Sequence, residues 1–153
     1  MNLLVSACLL GLCCRYDGQS KRMAGLERLL AQPVSLVPVC PEILGGLPTP
    51  RTPAERQGGR VVTRDGRDVT ENYRRGAQEA RKLARLLGCG FALLKERSPA
   101  CGCGAVYDGH FTGTLAPGNG VAAEALLQDG VRVFGESELD ALLDALTKGE
   151  QRP

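Results

Sequence analysis

Three short β-rich runs, each followed closely by a cysteine, restrict this chain more than any other feature. The middle run goes from Val34 to Val39 and passes into Cys40, Pro41 and Glu42. An apolar run of that length bounded by prolines reads as a buried strand. Pro41 has no N–H for a sheet ladder, so the strand stops near Cys40. Cys40 and Glu42 are therefore expected at a strand's carboxyl end, where open α/β sheets gather their ligands. Cys8 follows Asn2–Ser6 in the same way, and Cys101 comes soon after Phe91–Lys95. Three strand ends, each with a thiol, describe one site.

The rest of the chain alternates strands with helices. Lys21–Ala31 carries Met23, Leu26, Leu29 and Leu30 at helical spacing. The longest helix is expected from about Val69 to Leu87, with Asp68 and Glu71 as a capping box and Gly88 as its stop. Gly118-Asn119-Gly120 opens a helix to about Gln128, Val131–Phe134 is a fourth strand, and Ser137–Leu146 a final helix. Between them, Pro41–Arg60 reads as a long loop covering the site, and Val61–Val69 as a small hairpin around Asp65-Gly66. The expected fold is α/β: one domain over residues 1–147 with a frayed tail at 148–153. Its sheet is mostly parallel with flanking helices, a Rossmann-like three-layer arrangement plus a small hairpin insertion.

The net charge of +2 hides an uneven distribution. Arg51–Arg85 holds ten Lys/Arg against five Asp/Glu, whereas 124–150 holds two against seven. Solvated helix faces of opposite sign account for this; a basic face for a nucleotide or RNA phosphate is the sharper reading. Seven cysteines, an odd number without disulfide-framework spacing, point to reduced thiols in a cytoplasm. Val5-Ser6-Ala7-Cys8 looks like a lipidation box, but the residues before Cys8 include no basic one, so export is not expected. No apolar run is long enough to span a bilayer.

Cys89, after a helix stop, reads as a small buried hydrophobe, and Cys14 as a spare thiol near the site. Zinc commonly takes C-x-x-C pairs, of which there are none, and His110 is the lone histidine. A dithiol pair at Cys101/Cys103 or Cys13/Cys14 lacks the thioredoxin-like spacing. Three thiolates from separate loops suit an iron–sulfur cubane with one iron left open, a Lewis acid able to bind a substrate atom. Glu42 then reads as a general base for water, and Ser98 as a hydrogen-bonding or proton-relaying hydroxyl, if not only a turn former. Gly118-Asn119-Gly120 could cradle a phosphate or simply begin a helix.

These residues resemble the bacterial thiouracil desulfurases. The matching segments are Ser6–Gly11 with Cys14–Gly18, Pro38–Glu42 with Gly45–Pro48, Thr49-Pro50-Arg51, Asp68-Val69-Thr70, Lys95 with Ser98–Gly102, and Gly118–Val121. They run through nearly the whole chain in order. The family pattern reads Ser-Pro-Ser-Cys-Gly where this chain has Ala100, which keeps the thiol and removes one hydroxyl. The resemblance implies a 4Fe–4S cluster on Cys8, Cys40 and Cys101 with one iron free of protein ligands, and Glu42 and Ser98 as catalytic residues. The implied activity is non-redox removal of sulfur from thiouracil or a thiouridine nucleotide. A tRNA 4-thiouridine desulfurase and a non-catalytic zinc- or thiol-binding module are the alternatives.

Overall fold

Side-chain alternation along two central strands sets the layers of the molecule. In the computed structural model, which describes residues 1–148, β1 (Asn2–Ser6) pairs in parallel with β2 (Ser35–Val39) on one side. On the other side it pairs with β5 (Phe91–Leu94), which in turn pairs in parallel with β8 (Arg132–Gly135). The resulting sheet has the order β2-β1-β5-β8. Leu3, Val5, Phe91 and Leu93 point into one buried cluster, and Leu4, Ala92 and Leu94 into the other. Each fully buried leucine contributes on the order of 2 kcal/mol. The first cluster is closed by α1 (Leu26–Leu30) and α5 (Leu139–Thr147); the second by α3 (Thr70–Leu86) and α4 (Val121–Gln128). The chain is a single α/β domain with a parallel central sheet and flanking helices.

The strands fall within a residue of their expected bounds, but the connections differ. The first helix is much shorter than Lys21–Ala31, because Gly25 at φ 81° cannot continue a right-handed turn; Met23 still reaches the core from outside it. The span 41–60 is not a plain loop. It holds α2 (Pro41–Leu44) and β3 (Ala54–Gln57), and β3 pairs antiparallel with β4 (Arg60–Thr63) through Gly58-Gly59. The turn at Asp65-Gly66 forms, yet the strand after it makes only a bridge, Val62 with Asp68. A further antiparallel pair, β6 (Ala105–Tyr107) with β7 (Leu115–Pro117), lies in the segment expected to be only turns. The Asp68–Glu71 capping box is absent: Asp68 accepts the Thr70 N–H at 2.9 Å, and Glu71 pairs with Arg74. Of the tail expected to fray, 149–153 lies outside the described residues.

One close approach fixes α2 in place. A Cβ at Gly76, in the middle of α3, would stand 1.9 Å from the Pro41 carbonyl oxygen. Glycine weakens a helix interior by roughly 1 kcal/mol relative to alanine. Here it lets the backbone after Cys40 lie directly on α3, and so sets the direction from which Glu42 enters the site.

Candidate active site at the carboxyl end of the sheet

The ends of β1, β2 and β5 open into one cavity of about 670 Å³. Cys8 lies in a short 3₁₀ turn, Ala7–Leu10, that follows β1 and ends on Gly11. Cys40 is the N-cap residue of α2, and Glu42 lies in that helix's first turn. Cys101 ends a tight turn after β5, in which Ser98 Oγ accepts the N–H groups of Ala100 at 3.1 Å and Cys101 at 3.2 Å. Cys8, Cys40, Cys101, Glu42 and Ser98, the five residues singled out in the sequence, all line this cavity, and Cys14 joins them. All seven cysteines are free thiols; Cys89 is fully buried in the core, and Cys13 is exposed.

The amides of Gly118-Asn119-Gly120 and the start of α4 do not face open space. Gly120 N–H donates to Gly102 O at 2.7 Å, Val121 N–H to Pro99 O at 2.8 Å, and Ala122 N–H to Ala100 O at 2.9 Å. The helix start holds the Cys101 turn, leaving no phosphate cradle there.

The electrostatics of the cavity are dominated by burial. Burial pushes the Cys8 thiol up to about 11 and the Cys40 thiol up to about 12, with the neighbouring Glu42 carboxyl adding to both. Cys101 is driven up by the same two causes. Burial also raises the Glu42 carboxyl, against the opposing pull of Arg51 and a hydrogen bond from Tyr73. Arg51 Nη2 stands 3.5 Å from Glu42 Oε2. The same guanidinium also donates to Cys14 O at 3.1 Å, and to Pro48 O and Thr49 Oγ1 at 3.3 Å each. The Cys40 thiol reaches Cys14 O at 3.8 Å. Ser6 is buried behind the site, where its hydroxyl meets Cys101 and its Oγ accepts the Lys95 N–H at 2.8 Å.

Three thiols crowded around a carboxyl disfavour the thiolate form unless a cation joins them, and bound metal reverses that balance outright. The donor set, soft sulfur from three separate loops, fits an iron–sulfur cluster. Among the described residues, no three Cys, His, Asp or Glu side chains gather as a single-ion site would require. A cubane takes one thiolate on each of three irons and needs no such gathering.

A scan against protein-family models matches residues 3–138 to 2-thiouracil desulfurase. The chain belongs to the 2-thiouracil desulfurase family. It is 40% identical over 151 residues to the uncharacterized protein YbbK of Bacillus subtilis (strain 168), covering 92% of this chain and 99% of that one. It is also similar to a solved structure described as the [4Fe-4S]-dependent thiouracil desulfidase TudS (DUF523Vcz). The TM-score is 0.90 at 49% identity, over 95% of this chain and 97% of that chain.

Sequence reasoning gave no role to several residues that line this cavity. Arg51, Tyr73, Lys95, Arg64 and Phe111 all line it. Arg51 and Lys95 sat within matched segments, which was a usable signal. Tyr73 looked like one more apolar position on a helix face, and nothing local marks Phe111. The basic stretch proves to be mostly paired. Arg60 bridges Asp68, Arg67 Asp65, Arg74 Glu71 and Lys82 Glu79, while Arg81 and Arg85 both bridge Asp129. Solvated, internally compensated faces account for it. Among the described residues, no helix is long and apolar enough to cross a membrane.

Proposed function

We propose that this chain is a non-redox desulfurase that converts the thiocarbonyl of thiouracil or a thiouridine nucleotide to a carbonyl, releasing hydrosulfide. The observation that carries this reading is the lining of one cavity by three soft thiols and a buried carboxyl, in a member of the 2-thiouracil desulfurase family. Cys8, Cys40 and Cys101 would hold the 4Fe–4S cluster. When bound, a cluster with one iron free of protein ligands supplies a Lewis acid for the thiocarbonyl sulfur.

Glu42 acts as the general base. Burial raises its carboxyl above the ordinary carboxylate value, which makes it a stronger base than a free carboxylate, while Arg51 and a hydrogen bond from Tyr73 oppose the rise. It takes a proton from water, whose oxygen attacks the thiocarbonyl carbon. The carbon–sulfur bond then breaks, and sulfur leaves as hydrosulfide. Thiocarbonyl plus water gives carbonyl plus hydrogen sulfide, with no net electron transfer. Ser98 already accepts two backbone N–H groups, so its remaining capacity is its own O–H. Its role is therefore to donate a hydrogen bond to a polar group of the substrate rather than to accept a proton.

In this reading the sheet serves as a Rossmann-like three-layer platform, with ligands at the carboxyl ends of its strands. Seven cysteines, an odd number without disulfide-framework spacing, support a reducing compartment such as a cytoplasm. The substrate is a small molecule; the paired basic stretch offers a tRNA backbone little free charge. The test is anaerobic turnover of the cluster-loaded protein with a panel of thiolated bases and nucleotides, measuring sulfide and desulfurated product. One sulfide per product is expected. A cluster-loaded protein releasing no sulfide from any of them would sink the proposal.

A further inference from the structure

The loop joining β6 to β7 is held against β3 by contacts that the fold alone does not require. Glu55 on β3 is buried, and its Oε1 accepts two backbone N–H groups of that loop, Gly109 at 3.0 Å and Phe111 at 3.1 Å. Gln57, two residues along the same strand, donates to Gly109 O at 2.8 Å. The two segments lie so close that a Cβ at Gly109 would stand 2.5 Å from the Gln57 side chain and 3.0 Å from Arg56 O. This clasp sets Phe111 at φ 57°, a left-handed conformation that bulky side chains rarely adopt. Strained backbone of this kind persists only where its surroundings enforce it, and it concentrates at ligand clamps.

The clasp does not serve packing. Among the described residues, Phe111 joins none of the three buried apolar clusters, and it is only half-buried. Its ring lines the same cavity as the thiols, with the Arg64 guanidinium 5.6 Å from the ring centroid. The guanidinium lies over one face of the ring, and an aromatic ring backed by a cation in this way suits stacking of a flat, polar heteroaromatic ring on its opposite face.

We propose that Phe111 is the residue on which the pyrimidine ring of the substrate stacks, and that Glu55 is the positioning residue that holds it there. This rests on the desulfurase reading and adds a specificity element to it. Stacking acts on the whole ring equally before and during reaction, so its loss should appear in KM and leave kcat largely intact.

The experiment uses the cluster-loaded protein under anaerobic conditions. Steady-state desulfuration of thiouracil and equilibrium binding of uracil are measured for wild type, Phe111→Ala, Phe111→Trp, Glu55→Ala and the Phe111→Ala/Glu55→Ala double variant. Phe111→Ala is expected to raise KM and the uracil Kd about tenfold, within the range that losing one base–aromatic stack costs. Phe111→Trp keeps both near wild type. Glu55→Ala reproduces the Phe111→Ala defect, and the double variant is no worse than either single one. Phe111→Gly, which accepts the positive φ without strain, separates loss of the ring from misfolding of the loop. Wild-type KM and Kd in the alanine or glycine variant would overturn the proposal, and so would losses that multiply in the double variant. Uracil binding needs no turnover, so it tests Phe111 even if the wild type releases no sulfide, an outcome that would count against the desulfurase reading alone.

Discussion

Two carboxylates of nearly equal exposure, Glu42 in the cavity and Asp129 on the α3–α4 flank, are treated in opposite ways. Their side chains are 12% and 10% exposed. Asp129 receives Arg81 through two nitrogens and Arg85 through one at 2.9 Å, and these hydrogen bonds, Arg81's first, hold its carboxyl down at about 2. Glu42 has a single guanidinium at 3.5 Å, shared with two carbonyls and a hydroxyl, and burial wins, so its carboxyl rises. Side-chain exposure alone therefore does not decide the charge state: Glu42 lies deep, where desolvation outweighs its donors, whereas Asp129 lies near the surface with three donor nitrogens aimed at it. The flank completes its charges and gains a fixed helix pair. The cavity leaves its carboxylate under-compensated, which is the condition a general base needs.

The comparison breaks most sharply if the thiols do not belong with Glu42. Cys8→Ser, Cys40→Ser and Cys101→Ser are each expected to abolish sulfide release and lower the iron content well below the about four per chain of a cubane. Cys13→Ser, on the surface, should keep both. Next in size, Glu42→Gln is expected to cost about 10²–10⁴ in kcat, the usual worth of a positioned base. Iron content should stay unchanged; retained activity would remove Glu42 from the mechanism.

Arg51→Ala sharpens the contrast. As the proposed general base Glu42 would work ionised, so activity is expected to fall as pH drops through its raised pKa. Removing the cation that opposes the rise should move the acid limb of the kcat/KM profile to higher pH, with Arg51→Lys moving it part-way back. An unmoved limb would show that Arg51 serves only the Cys14 and Pro48 carbonyls. The smallest effect lies on the flank. Asp129 has its folded pKa below the unfolded value, so the stability it adds is present above about pH 4 and fades as pH falls toward about 2. Asp129→Asn should cost on the order of 1–2 kcal/mol at pH 7 in denaturant unfolding, a difference that shrinks in acid, while turnover is unaffected.

Much of this architecture was legible in the sequence because its signals are local. The strands ended where Pro41 and the turn residues said they would, and α3 showed its apolar face at Tyr73, Ala77, Ala80 and Ala84. What was missed depended on partners far along the chain. The span after Cys40 read as loop because its prolines obscured a strand that forms only when β4 lies beside it. The Gly118-Asn119-Gly120 turn is the ordinary helix start of its two readings; only its acceptors, Pro99, Ala100 and Gly102, about twenty residues away in sequence, could not be read locally. Ser98 is the turn former that its Ser-Pro context suggested, its oxygen accepting the Ala100 and Cys101 N–H groups.

By itself the sequence determined the alternation of elements and the thiol at each of three strand ends, since hydrophobic period and chain-breaking residues act over a few positions. It also carried the family signature. Only the tertiary structure decided which basic residues are neutralised by neighbours, that Arg51 shares itself between Glu42 and three other acceptors, and that Glu55 turns Phe111 toward the cavity. These are balances between burial and donors drawn from distant segments, and their sign is set by distances that no local pattern encodes.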